Sequence, residues 1–227
     1  MRFLKKRYIF CFVFLFVCLG YAELNFIVID RFSLNDVGKF PEGWKSRNHK
    51  MTEMAKNIYE VVADKNNAYL IAHSKSDAIQ IGKKVDIDLK EYPILTWKWR
   101  VDKICKGADE RYKKTGDSPA AIYVVFPTWK KWNPKAIKYV WSASSLHIGF
   151  KTKSPYASNT KIVVLQNKNS PLGKWIREKV NVLEDYRYFF GNKLKHVKLV
   201  GLMTDSDNTK TEAIAAYDDI IFESSDK

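Results

Sequence analysis

Three places in this chain carry side chains whose types and spacing could do chemistry. Asp205-Ser206-Asp207-Asn208 offers three side-chain carbonyl or carboxylate groups in four residues, a composition suited to a hard cation such as calcium. It lacks the glycine and distal glutamate of an EF-hand loop, and a turn whose side chains bond their own backbone has the same composition. Asp218-Asp219 lies inside the apolar run Ala215 to Phe222. A strand that turns one of two adjacent acids inward must neutralise it with a cation, an arginine or backbone donors. Asp205, Asp207, Asp218 and Asp219 are therefore the candidate ligands of a structural calcium ion, the one cofactor the chain suggests. The third place is Pro127 to Ala136, where Trp129 and Trp132 alternate with Lys130, Lys131 and Lys135. Indole faces beside cations suit a sugar ring bearing carboxylate or phosphate, although the same aromatics could simply pin the loop to the body.

The remaining catalytic inventory is thin. His49, His73, His147 and His196 are far apart and form no ligand pair, and no Gly-x-Ser-x-Gly elbow, phosphate-cradling glycine loop or CxxC pair is present. Cys105 sits beside Lys103 and Lys106, which would favour thiolate, but no base partner is identifiable in the sequence. A second long connection, Asp102 to Pro119, is strongly charged. Ordered loops of that length usually carry function, so Arg100, Arg111 and Asp117 join Trp129, Lys130 and Trp132 as candidate ligand-binding residues.

The elements that must position these groups are strands. In Ile94 to Val101, Leu95, Trp97, Trp99 and Val101 alternate with Thr96, Lys98 and Arg100, the pattern of a half-buried antiparallel strand. Comparable runs occur at 58–62, 69–73, 78–82, 121–126, 138–142, 146–151, 161–166, 175–180, 197–203 and 213–222, and Asp64-Lys65-Asn66-Asn67 reads as a hairpin turn. So many strands in one domain require two packed sheets, with Trp97, Trp99, Trp141 and Trp175 expected to fill the core. One segment has helical spacing, 181–190, with Asn181 as cap, Glu184 three residues on and Gly191 as terminator. The expected fold is a mostly β, two-sheet antiparallel β-sandwich of jelly-roll, galactose-binding-like type with that single short helix.

Composition bounds the setting. The cationic start Met-Arg-Phe-Leu-Lys-Lys-Arg, the apolar block Tyr8 to Leu19 and Gly20-Tyr21-Ala22 have the order of a cleavable secretory signal. The apolar block is shorter than the ~20 residues of a spanning helix, so cleavage is expected before Glu23. The mature chain, 23–227, is expected to be one domain with no transmembrane segment, monomeric, and periplasmic or secreted. The whole chain has formal net charge +14, and its three cysteines include Cys11 and Cys18 within the leader. The mature part would keep a lone Cys105, hence no intramolecular disulfide, and would still be strongly basic. Such a surface attracts anionic polymers, while the lack of aromatic RNP strings or an Arg-rich helix argues against nucleic acid.

The order of several strings is familiar. Phe32-Ser33 and Gly43-Trp44, then 93–101 (PILTWKWRV), 114–117 (KTGD), 122–126 (IYVVF), 139–142 (YVWS) and 203–209 (MTDSDNT), together resemble the DUF3047 family of exported bacterial proteins, whose function is uncharacterised. In that family's pattern a second acid often follows the equivalent of Asp117 and an Arg precedes the next strand. Here Ser118 and Ala121 occupy that stretch. A looser likeness, in the Gly-Trp segment and the final Tyr-Asp-Asp-Ile-Ile-Phe strand, is to galactose-binding-like jelly-roll modules, where an acid of the last strand commonly helps hold calcium; it implies that role for Asp218 or Asp219.

These residues support three functional expectations. One is a non-catalytic exported module that binds a glycan or other envelope polymer through Trp129, Trp132 and nearby cations. Another is a polysaccharide hydrolase or lyase with Arg100, Asp109, Arg111, Asp117 and Asp205 converging at one end of the sandwich. The third is an envelope protein that binds polyanions without selectivity.

Overall fold

The computed structural model describes residues 25–129 and 133–225; the expected leader and its cleavage point lie outside them, as do Lys130, Lys131 and Trp132. In chain order the strands are β1 (Phe26–Asp30), β2 (Tyr59–Asp64), β3 (Asn67–Lys75), β4 (Ile81–Ile87), β5 (Ile94–Lys103), β6 (Ala120–Phe126), β7 (Lys135–Trp141), β8 (Lys151–Lys153), β9 (Thr160–Gln166), β10 (Ile176–Asn181), β11 (Val197–Met203) and β12 (Glu212–Glu223). Two helices accompany them, α1 (His49–Ala55) and α2 (Val182–Phe190).

The strands form the two expected sheets. One runs β10-β5-β12-β3-β2, with β1 also pairing with β12; the other runs β4-β11-β6-β7-β9-β8. All pairings are antiparallel except β7 with β9. The alternation of β5 decides its orientation: Leu95, Trp97, Trp99 and Val101 are fully buried, and Trp99 meets Trp97 and Trp141 edge-on at 5.3 and 5.9 Å. Tyr139, Phe126, Tyr186, Tyr217 and Phe222 complete this aromatic centre. Offset and edge-to-face contacts of this kind add to the apolar burial that holds the sheets together.

Three local expectations change. Helix α2 forms where its spacing places it, with Asn181 Oδ1 accepting from Glu184 N at 3.1 Å, but α1 is a second helix. Asn48 caps α1 through Met51 N, and two turns burying only Ala55 are too short to display a period. Leu146 to Lys151 is not a strand, because Gly149 takes a left-handed φ of 85° and the chain becomes extended only at β8. Trp175 is not in the core: it precedes β10, is 36% exposed, and lies edge-on to Tyr69 at 5.2 Å.

The second sheet buries both faces of its middle strands. Its inward residues include Ile122, Val124, Ile137, Tyr139, Val163 and Val200. On the outward face Ala121, Val140, Leu146, Ile162 and Val164 form a smaller apolar cluster joined by Tyr123, Phe150 and Met203. One row crosses that face laterally: Gly82, Gly201, Tyr123, Lys138 and Ile162 are successive register partners. Loops from four connections roof this row.

Candidate functional site

A cavity of about 210 Å³ opens on the roofed outer face, lined by Tyr123, Lys138, Ile162 and Met203 of the sheet and by Glu110, Gly116, Tyr156, Asp205, Asp207 and Asn208 of the loops. At ~30 Å³ per water, that is room for roughly seven waters, the size of one sugar ring.

Its floor is polar and buried. Lys138 points outward from the apolar strand β7, where an isolated lysine would normally be solvated, yet the loops leave it only 5% exposed. Its ammonium donates to Ser118 Oγ at 2.9 Å and lies 5.6 Å from the centre of the Tyr123 ring. Burial alone would lower its pKa, but Tyr123, Asp205 and Glu110 outweigh that and hold it above the usual lysine value. Glu110 accepts from Ser142 Oγ at 2.6 Å and from Ser118 Oγ at 3.3 Å; burial raises its pKa, with Ser142 and Lys138 opposing.

Asp205 lies two residues past the end of β11 and accepts Ser118 N at 2.7 Å. Burial pushes its pKa up to about 7, against the pull of Lys138 and the Ser118 amide. Asp117 stands next to it but in a different state. Its two oxygens accept the backbone and side-chain N–H groups of Asn208, at 3.0 and 2.9 Å, and the backbone N–H and hydroxyl of Thr209, at 2.8 and 2.5 Å. Burial raises its pKa, but these four bonds win and keep it below the ordinary carboxylate value. Asp117 thus locks the loop that presents Asp207 and Asn208. Asp207 is half-buried and accepts Asn208 Nδ2 at 2.8 Å; burial and then Asp117 raise its pKa. Tyr156, half exposed, forms a wall by donating to Lys113 O at 2.8 Å. Gly116 leaves room beneath it, since a Cβ there would sit 2.6 Å from the Tyr156 hydroxyl and 3.0 Å from the Tyr112 carbonyl oxygen.

The structure brings together only some of the residues singled out from sequence. Carboxylate oxygens of Asp117, Asp205 and Asp207 lie within 4.8 Å of one another. Asp218 and Asp219 do not join them. A left-handed φ of 49° at Asp219 kinks β12 and shifts its register against β5, which supplies by backbone and ion pairs the neutralisation that suggested a metal. Asp218 accepts Asn67 Nδ2 and Asp219 N, while Asp219 meets Lys98, Arg177 and Arg31. Arg100 lies on the outer face of the other sheet, between the rings of Tyr69 and Trp175 at 5.3 and 5.2 Å, and pairs with Asp102. Arg111 is turned to solvent, closed on Asp109 at 2.7 Å and over Tyr112. Trp129, 85% exposed, follows the far end of β6 from Asp117, so Trp129 and this cavity are separate places. Arg100 therefore does not converge with Asp117 and Asp205, and the Arg111 guanidinium is engaged by Asp109.

Glu110, Tyr123, Lys138 and Tyr156 escaped the sequence reading. Period-two alternation puts Tyr123 and Lys138 on an outward face, and nothing local distinguishes an outward lysine that solvent bathes from one that loops cover.

The sequence profile of DUF3047, a family described as proteins of unknown function, matches residues 42–221. The chain belongs to the DUF3047 family. No curated protein matches it. Among solved structures, this DUF3047 protein is similar to the family 30 carbohydrate-binding module of a Clostridium thermocellum cellulosomal cellulase, at 11% identity and a TM-score of 0.45 over 89% of this chain and 99% of that one. It is similar also to a family 28 carbohydrate-binding module described as specific for non-crystalline cellulose, at 11% identity and a TM-score of 0.41 over 85% and 94%. A third is the xyloglucanase domain of a type three effector from Sinorhizobium fredii, at 10% identity and a TM-score of 0.39 over 74% and 87%.

Proposed function

We propose that this DUF3047 protein is an exported glycan-binding module whose ligand site is the cavity on the outer face of the second sheet. The observation that supports it is the meeting of ring surfaces with fixed polar groups in a space of sugar-ring size. Tyr123 and Tyr156 offer faces for the C–H side of a sugar, Met203 and Ile162 add apolar contact, and Asp207, Asn208 and Lys138 stand ready for its hydroxyls. Polar groups held in place by the fold can orient a ligand, while the ring and aliphatic surfaces between them supply contact. Rigidity comes from beneath, since Asp117, Ser118, Ser142 and Thr209 spend their bonding capacity on holding the rim.

The test is isothermal titration against a panel of bacterial and plant oligosaccharides, with Tyr156→Ala combined with Asp207→Ala as the site variant. Binding that the double substitution weakens at least tenfold, with the melting temperature retained, supports the site. Absence of binding across the panel, or binding indifferent to the double substitution, overturns it.

A hydrolase or lyase reading is favoured by one observation, the Asp205 carboxyl poised at about 7 in the same cavity as Lys138 and Tyr123, a value suited to proton transfer near neutrality. Release of new reducing ends from a bound polysaccharide, abolished by Asp205→Asn, would select it; intact polymer after prolonged incubation would reject it.

A further inference from the structure

The cavity is the middle of a longer furrow with a cationic stretch at each end. On one side it shares Ala78 and Met203 with a recess of about 470 Å³ whose wall carries Lys45, Arg47 and Gln80. On the other it shares Tyr156, Asp207 and Asn208 with a shallow surface carrying Lys113, Lys114 and Lys210. The backbone sets the first arm in place: Lys45 and Gly82 exchange N–H to O bonds of 3.0 and 2.8 Å, extending the sheet edge by one bridge. Gly82 and Gly201 are register partners there. Gly201 has no side chain to displace the Gln80 amide, which lies 2.5 Å from where its Cβ would be and makes no side-chain hydrogen bond among the described residues. The second arm is tied to the cavity by the bond from the Tyr156 hydroxyl to the Lys113 carbonyl.

Like many exposed lysines of this chain, these five cations are not neutralised locally as some others are, and what distinguishes them is their place at the two ends of the furrow. Lys83 pairs with Asp30, Lys98 and Arg177 with Asp219, and Lys151 with Asp185. Lys45, Arg47, Lys113, Lys114 and Lys210 are all exposed, and none forms an ion pair among the described residues. The cavity between them is acidic at its rim, which disfavours an anion at the centre. The favoured charge pattern is a neutral, hydroxyl-rich unit in the middle with negative groups to either side.

We infer that the furrow takes a linear anionic glycan, one ring seated in the cavity and carboxylate or phosphate groups of flanking rings held by Lys45 and Arg47 at one end and by Lys113, Lys114 and Lys210 at the other. The inference rests on the cavity being a glycan site and adds the class and extent of the ligand. Because the flanking cations are exposed, each contributes modestly and salt weakens it; discrimination comes from engaging both ends of one chain.

The experiment uses gluco- and galacto-configured tetrasaccharides with C6 as alcohol, as carboxylate and as phosphate, titrated into the whole mature chain at low and moderate salt. The expected result is that an anionic member binds roughly 5- to 10-fold tighter than its neutral counterpart at low salt, and the carboxylate and phosphate arms show which anion is preferred. Lys45→Ala with Arg47→Ala, and Lys113→Ala with Lys114→Ala and Lys210→Ala, should each remove part of that preference, weakening anionic binding more than neutral binding. Tyr156→Ala with Asp207→Ala should weaken both classes. Equal binding of neutral and anionic members overturns the inference and leaves the cavity reading standing, as does a preference untouched by either cation variant. Anion binding that survives the Tyr156 and Asp207 substitutions but collapses with salt marks a non-selective polyanion surface and overturns both, and so does a failure of all six probes to bind.

Discussion

Asp205→Asn probes the buried floor of the cavity through its proton. In the folded chain the carboxyl keeps its proton up to about pH 7, whereas in the unfolded chain it releases it near ~3.9. Stability contributed by that proton is complete below ~3.9 and is lost as pH rises through 7, because there the folded state must ionise a buried acid. With those two values, linkage gives a contribution of about 3 kcal/mol at pH 5 that has all but vanished by pH 8. Asparagine keeps an oxygen to accept Ser118 N but has no proton to lose. The wild type should therefore lose roughly 2 to 3 kcal/mol relative to the variant between pH 5 and pH 8, and the pH-independent cost of the substitution cancels in that difference. Urea unfolding at both pH values reads it as a relative midpoint shift of about 1 M for a domain with m near ~2 kcal/mol/M. Parallel pH profiles, differing by less than about 0.5 kcal/mol, would show that Lys138 holds Asp205 ionised throughout and would refute the reasoning.

Two further outcomes test the same region. A chelator should leave the melting temperature within about 1 °C, because Asp117 is occupied by four protein donors and Lys138 already supplies positive charge beside Asp205; a fall of several degrees, restored by calcium, would instead show a cation held by Asp205 and Asp207. Cys105, fully buried and with its thiol pushed up first by burial and then by Asp205 and Asp117, should resist a thiol reagent in the native chain and react fully in denaturant; rapid native labelling would contradict that placement.

Strand patterning was legible in the sequence because its cause is local. A residue's side of a strand follows from its parity, so the alternation around Trp97 and Trp99 was enough to place them in the core, and Asn181 with Gly191 was enough to bound α2. Parity also identifies Lys138 as outward, but it says nothing about what lies outward. The loops carrying Glu110, Tyr156 and Asp205 are separated from Lys138 by between 18 and 67 positions, and only their packing turns a solvated face into a buried one. The Asp218-Asp219 pair shows the converse. An acid within an apolar strand is a local anomaly that sequence can flag, yet its resolution by a left-handed kink and by Asn67, Lys98, Arg31 and Arg177 depends on partners from four distant segments.

By itself, the sequence determined that the body is a β-sandwich with an indole-rich core, that the charge is strongly positive, and that Asp117 and the Asp205 to Asn208 turn were places where side-chain chemistry could gather. Each depends on composition or on spacing within one element. Only the tertiary structure decided which candidates meet: it joined Asp117 to Asp205 and Asp207, carried Arg100 to the opposite sheet and Trp129 to the opposite end, and set unpaired cations on both sides of one cavity. Such choices depend on register between strands and on how loops cover a face, and both are set by contacts between residues far apart in the chain.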